Sequence, residues 1–117
     1  MNKLRQKCML AENYVAEYLV KRGWHILARN FRHIGFELDI VAQKNGVLHV
    51  FEVKYRSRGF PCTYSNESLI SSHKKRALEK GARYFCYVRN IEANYVTIKL
   101  ATLTVQRGIH HMNFYDI

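Results

Sequence analysis

The sequence predicts an α/β fold in which a mixed central sheet is flanked by helices. Three observations predict it: an amphipathic run near the start, an Asn-Gly turn signal between two β-rich runs, and a second helical stretch followed by more β-rich sequence. At 117 residues, 48% hydrophobic and 13% aromatic, the chain is long enough to bury one core and too short for two. A single domain over residues 1–117 is therefore expected.

From Lys3 to Arg22 the residues Leu4, Cys8, Ala11, Val15, Tyr18 and Leu19 fall on one side of a helix, and Gly23 supplies its stop. Glu12 borders that apolar stripe, whereas Glu17 points away from it. Trp24 to Arg29 reads as a short edge strand, and Asn30 to Gly35 as a polar turn. Next come Glu37–Ala42 and Val47–Lys54, separated by Asn45-Gly46, which favours a two-residue type I′ hairpin. In that register paired positions sum to 91, so Val41 faces Val50, Asp39 faces Glu52 and Glu37 faces Lys54. All of these share one face, while Phe51 and Val53 point to the core and His49 joins them on that side. Ser57 to Ser72, with Gly59, Pro61 and Asn66, suits an irregular loop. His73 to Val88 is a second helix, with Ala77, Leu78, Gly81, Ala82 and Phe85 inward and Lys74, Lys75, Arg76, Lys80 and Arg83 over the rest. Tyr95–Val105 reads as a strand and Met112–Ile117 as a last short one.

Nineteen Lys plus Arg against nine Asp plus Glu give a formal net charge of +10. That balance points to a polyanion, with nucleic acid favoured over a membrane surface. The acids are unevenly placed, since Glu37, Asp39 and Glu52 fall close together. A local negative pocket in a positive protein is what a metal site facing phosphates needs. The basic start is followed by an apolar run broken at Glu12 and Asn13, and no stretch reaches membrane-span length, so a cytoplasmic protein is expected. Cys8, Cys62 and Cys86 lack any Cys-x-x-Cys spacing and read as free thiols. His110-His111 are neighbours whose side chains point apart on a strand, which argues against a shared metal. The eight tyrosines show no clustering and are read as core-closing residues.

Two acids forced face to face repel each other, and a divalent cation between them removes the cost. Magnesium or manganese (Mg2+ or Mn2+) takes oxygen ligands, often one or two carboxylates with waters and phosphate, a role that suits Asp39 and Glu52. Lys54, two residues from Glu52 on the same face, is placed to orient or deprotonate a water or to neutralise charge on a phosphate. Arg56 continues that face and can grip a phosphate in bidentate fashion.

These residues resemble the nuclease superfamily with the PD-(D/E)xK signature, and within it the YraN-like bacterial family, related to archaeal Holliday-junction resolvases. The resemblance is carried by Ala11-Glu12 with Ala16 and Tyr18-Leu19, and by Gly23-Trp24 through Ala28-Arg29-Asn30-Phe31-Arg32. It continues in Glu37 to Ala42, Val50 to Arg56, Lys74, Ala82 and Tyr84-Phe85. It implies a restriction-endonuclease-like fold, with Asp39, Glu52 and Lys54 matching the nuclease motif. By the same resemblance Glu12 matches a helix carboxylate that reaches the metal, and Glu37 an acid typical of this branch. Leu38 stands where the superfamily has proline, as is usual in the branch, whereas Ala11 and Phe36 replace its glycines. Phe36 beside the acids is expected to narrow the pocket. Lys99 stands where the late strand commonly has an acid.

Blander readings compete with each element. Glu37 and Lys54 form an ordinary cross-strand ion pair in one of them, and Asp39 and Glu52 sit on a solvated face with shifted register in another. Lys74, Lys75 and Arg76 are either a solvated helix face or phosphate contacts, in neither case catalytic. The expected function is metal-dependent phosphodiester hydrolysis on DNA, branched or structured DNA included, because backbone contacts read shape and charge. The alternatives are a catalytically silent nucleic-acid-binding protein and an adaptor in DNA processing. A junction-resolving role favours a symmetric homodimer, though no interface is legible in the sequence.

Overall fold

The structure is a computed structural model that describes residues 3–57, 70–92 and 95–117. Most of the loop expected between Ser57 and Ser72, Cys62 included, lies outside the described residues. The elements run α1 (Lys3–Lys21), β1 (His25–His33), β2 (Phe36–Lys44), β3 (Val47–Ser57), α2 (Ser72–Arg89), β4 (Tyr95–Gln106) and β5 (Ile109–Asp116). The strands form one five-stranded sheet in sequence order. Every neighbouring pair is antiparallel except β3–β4, between which α2 intervenes. A parallel pair needs such a crossover, so the expected mixed sheet flanked by helices is the one observed, consistent with a restriction-endonuclease-like fold.

Pleating of β3 explains why both sheet faces are covered. Leu48 and Val50 join Leu78, Ala82 and Phe85 of α2 in one buried cluster, while Phe51 joins Val15, Ala16 and Leu19 of α1 in another. Helix α2 begins at an N-cap where the Ser71 hydroxyl accepts from Lys74 N at 3.1 Å, and it ends at Asn90 in the left-handed region. Gly81 lets that helix approach the sheet: a Cβ there would lie 2.6 Å from the Phe36 ring. Phe36 is thus partly buried, packed on α2 and near Phe31 and Tyr84.

The hairpin forms as the turn chemistry requires, with Asn45 at φ 53° and Gly46 at φ 77°. The register from Lys44↔Val47 to Ile40↔Phe51 sums to 91 throughout. Pairing ends at Ile40, so the expected opposition of Asp39 and Glu52 across a continued ladder is replaced by a divergence of the strands. Its cause lies in both β1 and β2. Leu38 and Val41 are three residues apart yet enter the same cluster, and Ala28 and Phe31 of β1 pack on it too. Unbroken alternation forbids that spacing, and the roll is made at Asp39 and at its neighbour Asn30, whose φ is 52°. Asn30 is therefore inside β1 and not the start of a turn; the turn is Ile34-Gly35. At the other end β5 starts at Ile109, earlier than expected, because Arg107-Gly108 makes a second turn with both φ positive, at 50° and 76°. Among the described residues no helix is long and apolar enough to cross a membrane.

Candidate functional site

Where β2 leaves β3, the side chain of Asp39 takes over the work of the ladder. Its Oδ2 accepts the backbone N–H of Val53 at 2.9 Å. On the α2 side of β3 stand Glu52 and Lys54, with Arg56 next in alternation. Glu52 is only 5% exposed, an unusual depth for a carboxylate. Lys54 Nζ lies 3.5 Å and Lys74 Nζ 3.8 Å from the same oxygen, Glu52 Oε1. The other oxygen, Oε2, is buried without a hydrogen-bond partner among the described residues, and so is Arg56 Nη2. One strand face thus holds a bare acceptor and a bare donor, each costly to leave unpaired.

Glu12, half-buried on α1, reaches the same place, near enough to Asp39 for the two carboxyls to repel when both are charged. Burial, then the charge of Asp39, pushes its carboxyl up to about 7, against the pull of Arg29. Arg29 is held in turn by Asn13, whose Oδ1 accepts from Nη2 at 2.6 Å. Burial also raises Asp39; the Val53 N–H opposes the rise, the Glu37 charge adds to it, and Lys54 and Lys74 oppose it. Glu52 is raised by burial and by the charge of Asp39, with Lys74 and Lys54 opposing. Three carboxyls therefore share one neighbourhood in which negative charge is poorly solvated. That arrangement favours a proton or a cation.

Glu37 belongs to the rim. Its Oε1 pairs with Arg32 Nε at 3.1 Å, and the expected partnership with Lys54 is replaced by this one because β2 has already rolled away from β3. Glu37 and Glu12 line a cleft of about 430 Å³ with Arg5, Cys8, Met9, Asn30 and Arg32. The basic trio of α2 divides: Lys74 turns to Glu52, Lys75 lines another groove beside Glu79 and Arg83, and Arg76 is exposed. Lys74 in contact with a buried acid departs from the expectation of a purely peripheral cluster. Its spacing of four from Leu78 and eight from Ala82 was the available signal. Arg29 beside Glu12 was missed as well, since only the roll of β1 brings it there. Among the described residues no three His, Cys, Asp or Glu side chains gather closely enough to cage a metal by themselves. His49, expected in the core, stacks edge-on against Trp24 and bonds Thr97, and burial lowers its pKa to about 4, so it stays neutral. Lys99 faces Asp116 at 3.9 Å across β4–β5, away from the acids.

The model of the uncharacterised protein family UPF0102 matches residues 11–107. The chain belongs to UPF0102. This is the YraN-like family that the motifs resemble, and the matched span encloses Glu12, Glu37, Asp39, Glu52, Lys54 and Lys74. The UPF0102 protein of Lachnoclostridium phytofermentans is 39% identical over 94 residues, covering 78% of this chain and 75% of that protein. That of Persephonella marina is 33% identical over 106 residues, covering 91% and 90%. That of Campylobacter fetus is 33% identical over 84 residues, covering 72% and 71%. The match therefore covers β1 to β4, α2 and the second half of α1, and stops before β5.

Proposed function

We propose that this UPF0102 chain is a metal-dependent nuclease of the PD-(D/E)xK kind that hydrolyses phosphodiesters in DNA, branched or structured DNA included. The observation that carries the reading is Glu52: a buried carboxylate with one oxygen bare among the described residues, a second acid at its side, and lysines from β3 and α2 leaning over it. An all-oxygen donor set suits a hard divalent cation. Asp39 and Glu52 would hold magnesium or manganese, with Glu12 alongside, and the bound ion would supply Lewis acidity toward water and phosphate.

The remaining steps belong to the chain. Lys54 stands at the carboxylates with its ammonium partly exposed, where it offsets the charge that builds on a phosphate under attack. Arg56 Nη2, without a partner among the described residues, offers a donor on the same strand face for a phosphate oxygen. Both helices contribute electrostatically, since neither has an acid in its first turn. Lys3 and Arg5 at the start of α1, and Lys74 and Lys75 at the start of α2, place side-chain cations at the positive dipole ends. Cations there cost stability, and an arriving phosphate relieves the cost.

The test incubates the protein with branched, duplex and single-stranded DNA in magnesium or manganese, beside Glu52→Ala and Lys54→Ala proteins. Cutting by the wild type that both variants lose supports the reading; no cutting of any substrate, or equal cutting by the variants, overturns it. One observation favours a catalytically silent nucleic-acid-binding protein instead: Lys54 and Lys74 already offset Glu52 without any metal. In that case DNA binds, but magnesium produces no melting shift that Asp39→Ala removes.

A further inference from the structure

The two outer strands of the sheet differ sharply in how they meet solvent. Edge strand β1 is guarded: its pairing with β2 shifts register between Ile26 and Ala28, Asn30 is left-handed, and Arg29 and Arg32 project from it. These are the devices by which proteins keep an open edge from recruiting another strand. Edge strand β5 has none of them. Ile109–Asp116 contains no Lys, Arg, Pro or Gly in a chain with 19 Lys plus Arg, and its pairing with β4 is unbroken from Gln106↔Ile109 to Lys99↔Asp116. Among the described residues no strand pairs with its outer edge.

We infer that β5 is a homodimer interface, at which it pairs antiparallel with β5 of a second copy about a two-fold axis through Asn113. The row of backbone donors and acceptors that meets no strand among the described residues specifies a strand as the occupant. The side chains specify this strand. With the axis at Asn113, Met112 lies opposite Phe114 of the second copy, and both are on the α1 side, against the Phe51 cluster. His111 lies opposite Tyr115, and His110 opposite Asp116, whose side chain is 90% exposed. An imidazole facing a carboxylate and an apolar match each occur twice, as an isologous contact requires. Other registers lose this: an axis at Met112 sets His110 against Phe114, and one at Phe114 sets Met112 against Asp116. Apolar surface continues beside the edge, where Ile109 and Leu10 are exposed and Tyr14 stacks on His110 at 5.4 Å. The result is one continuous sheet carrying two acid clefts, independent of whether those clefts cut DNA.

Sedimentation of the full chain over a concentration series tests the pairing. The wild type is expected at twice the mass of one chain, and Asn113→Lys, which sets two ammonium groups against each other at the axis, at the mass of one chain with unchanged far-UV circular dichroism. His110→Asp sets like charges opposite each other and should raise the dimer Kd roughly five- to tenfold, and the swap His110→Asp with Asp116→His should restore it. A wild type that stays a single chain at every concentration overturns the proposal. So does a dimer that survives Asn113→Lys, or a swap no tighter than His110→Asp alone.

Discussion

Replacing Glu12 by Gln should make the protein more stable at neutral and higher pH, and not in acid. Glu12 is raised from 4.5 to about 7 in the folded chain by burial and by its neighbour Asp39. The folded state therefore holds a proton that the unfolded chain gives up, so stability is full below about pH 4.5 and is lost as pH rises toward 7. The rise from 4.5 to about 7, at about 1.4 kcal/mol per pH unit, sets a ceiling of about 3.5 kcal/mol, and screening at a half-buried side chain reduces it to about 1–2 kcal/mol. Glutamine keeps the shape, cannot ionise, and can donate to the Asp39 carboxylate. Urea unfolding at pH 4.5 and pH 8 measures the difference. Glu12→Gln should match the wild type at the lower pH and exceed it by about 1–2 kcal/mol at the higher one. Equal effects at both pH values, or a loss at pH 8, would refute the electrostatic account of the site.

Removing Lys74 leaves the buried Glu52 with one ammonium instead of two, so Lys74→Met should cost about 0.5–1 kcal/mol at pH 8 and less at pH 4.5; a double-mutant cycle with Lys54→Met measures whether the two act on one carboxylate. Gly81→Ala would drive a Cβ into the Phe36 ring and should cost about 1–3 kcal/mol despite alanine's better helix propensity. Pairing it with Phe36→Leu should recover part of the loss in thermal denaturation. Ser71→Ala removes the cap of α2 and should cost about 1 kcal/mol, read from the urea midpoint. Magnesium at ten times its Kd should stabilise the wild type by about 1.4 kcal/mol and leave Asp39→Ala unmoved; equal melting shifts in both proteins would remove Asp39 from the proposed metal site.

Local rules carried the reading where the chemistry is local. Asn45-Gly46 specifies a left-handed two-residue turn, and the five pairs it nucleates follow the expected register. The apolar spacing of Leu78, Ala82 and Phe85 specifies which side of α2 meets the sheet, and by the same spacing Lys74 turns inward with them. Arg107-Gly108 makes a similar turn, but arginine is a poor advertisement for a left-handed residue, so the start of β5 was hidden.

Sequence alone determined that Asp39, Glu52 and Lys54 lie on adjacent strands of a hairpin, because turn chemistry and pleating act over a few residues. Only the tertiary structure decided how the acids meet. The roll at Asn30 and Asp39 takes β2 off the ladder, turns the Asp39 carboxylate onto the Val53 N–H, hands Glu37 to Arg32, and lets Glu12 of α1 in. That roll is set by packing Leu38 and Phe31 under α2, a contact between segments far apart in the chain that no local pattern encodes.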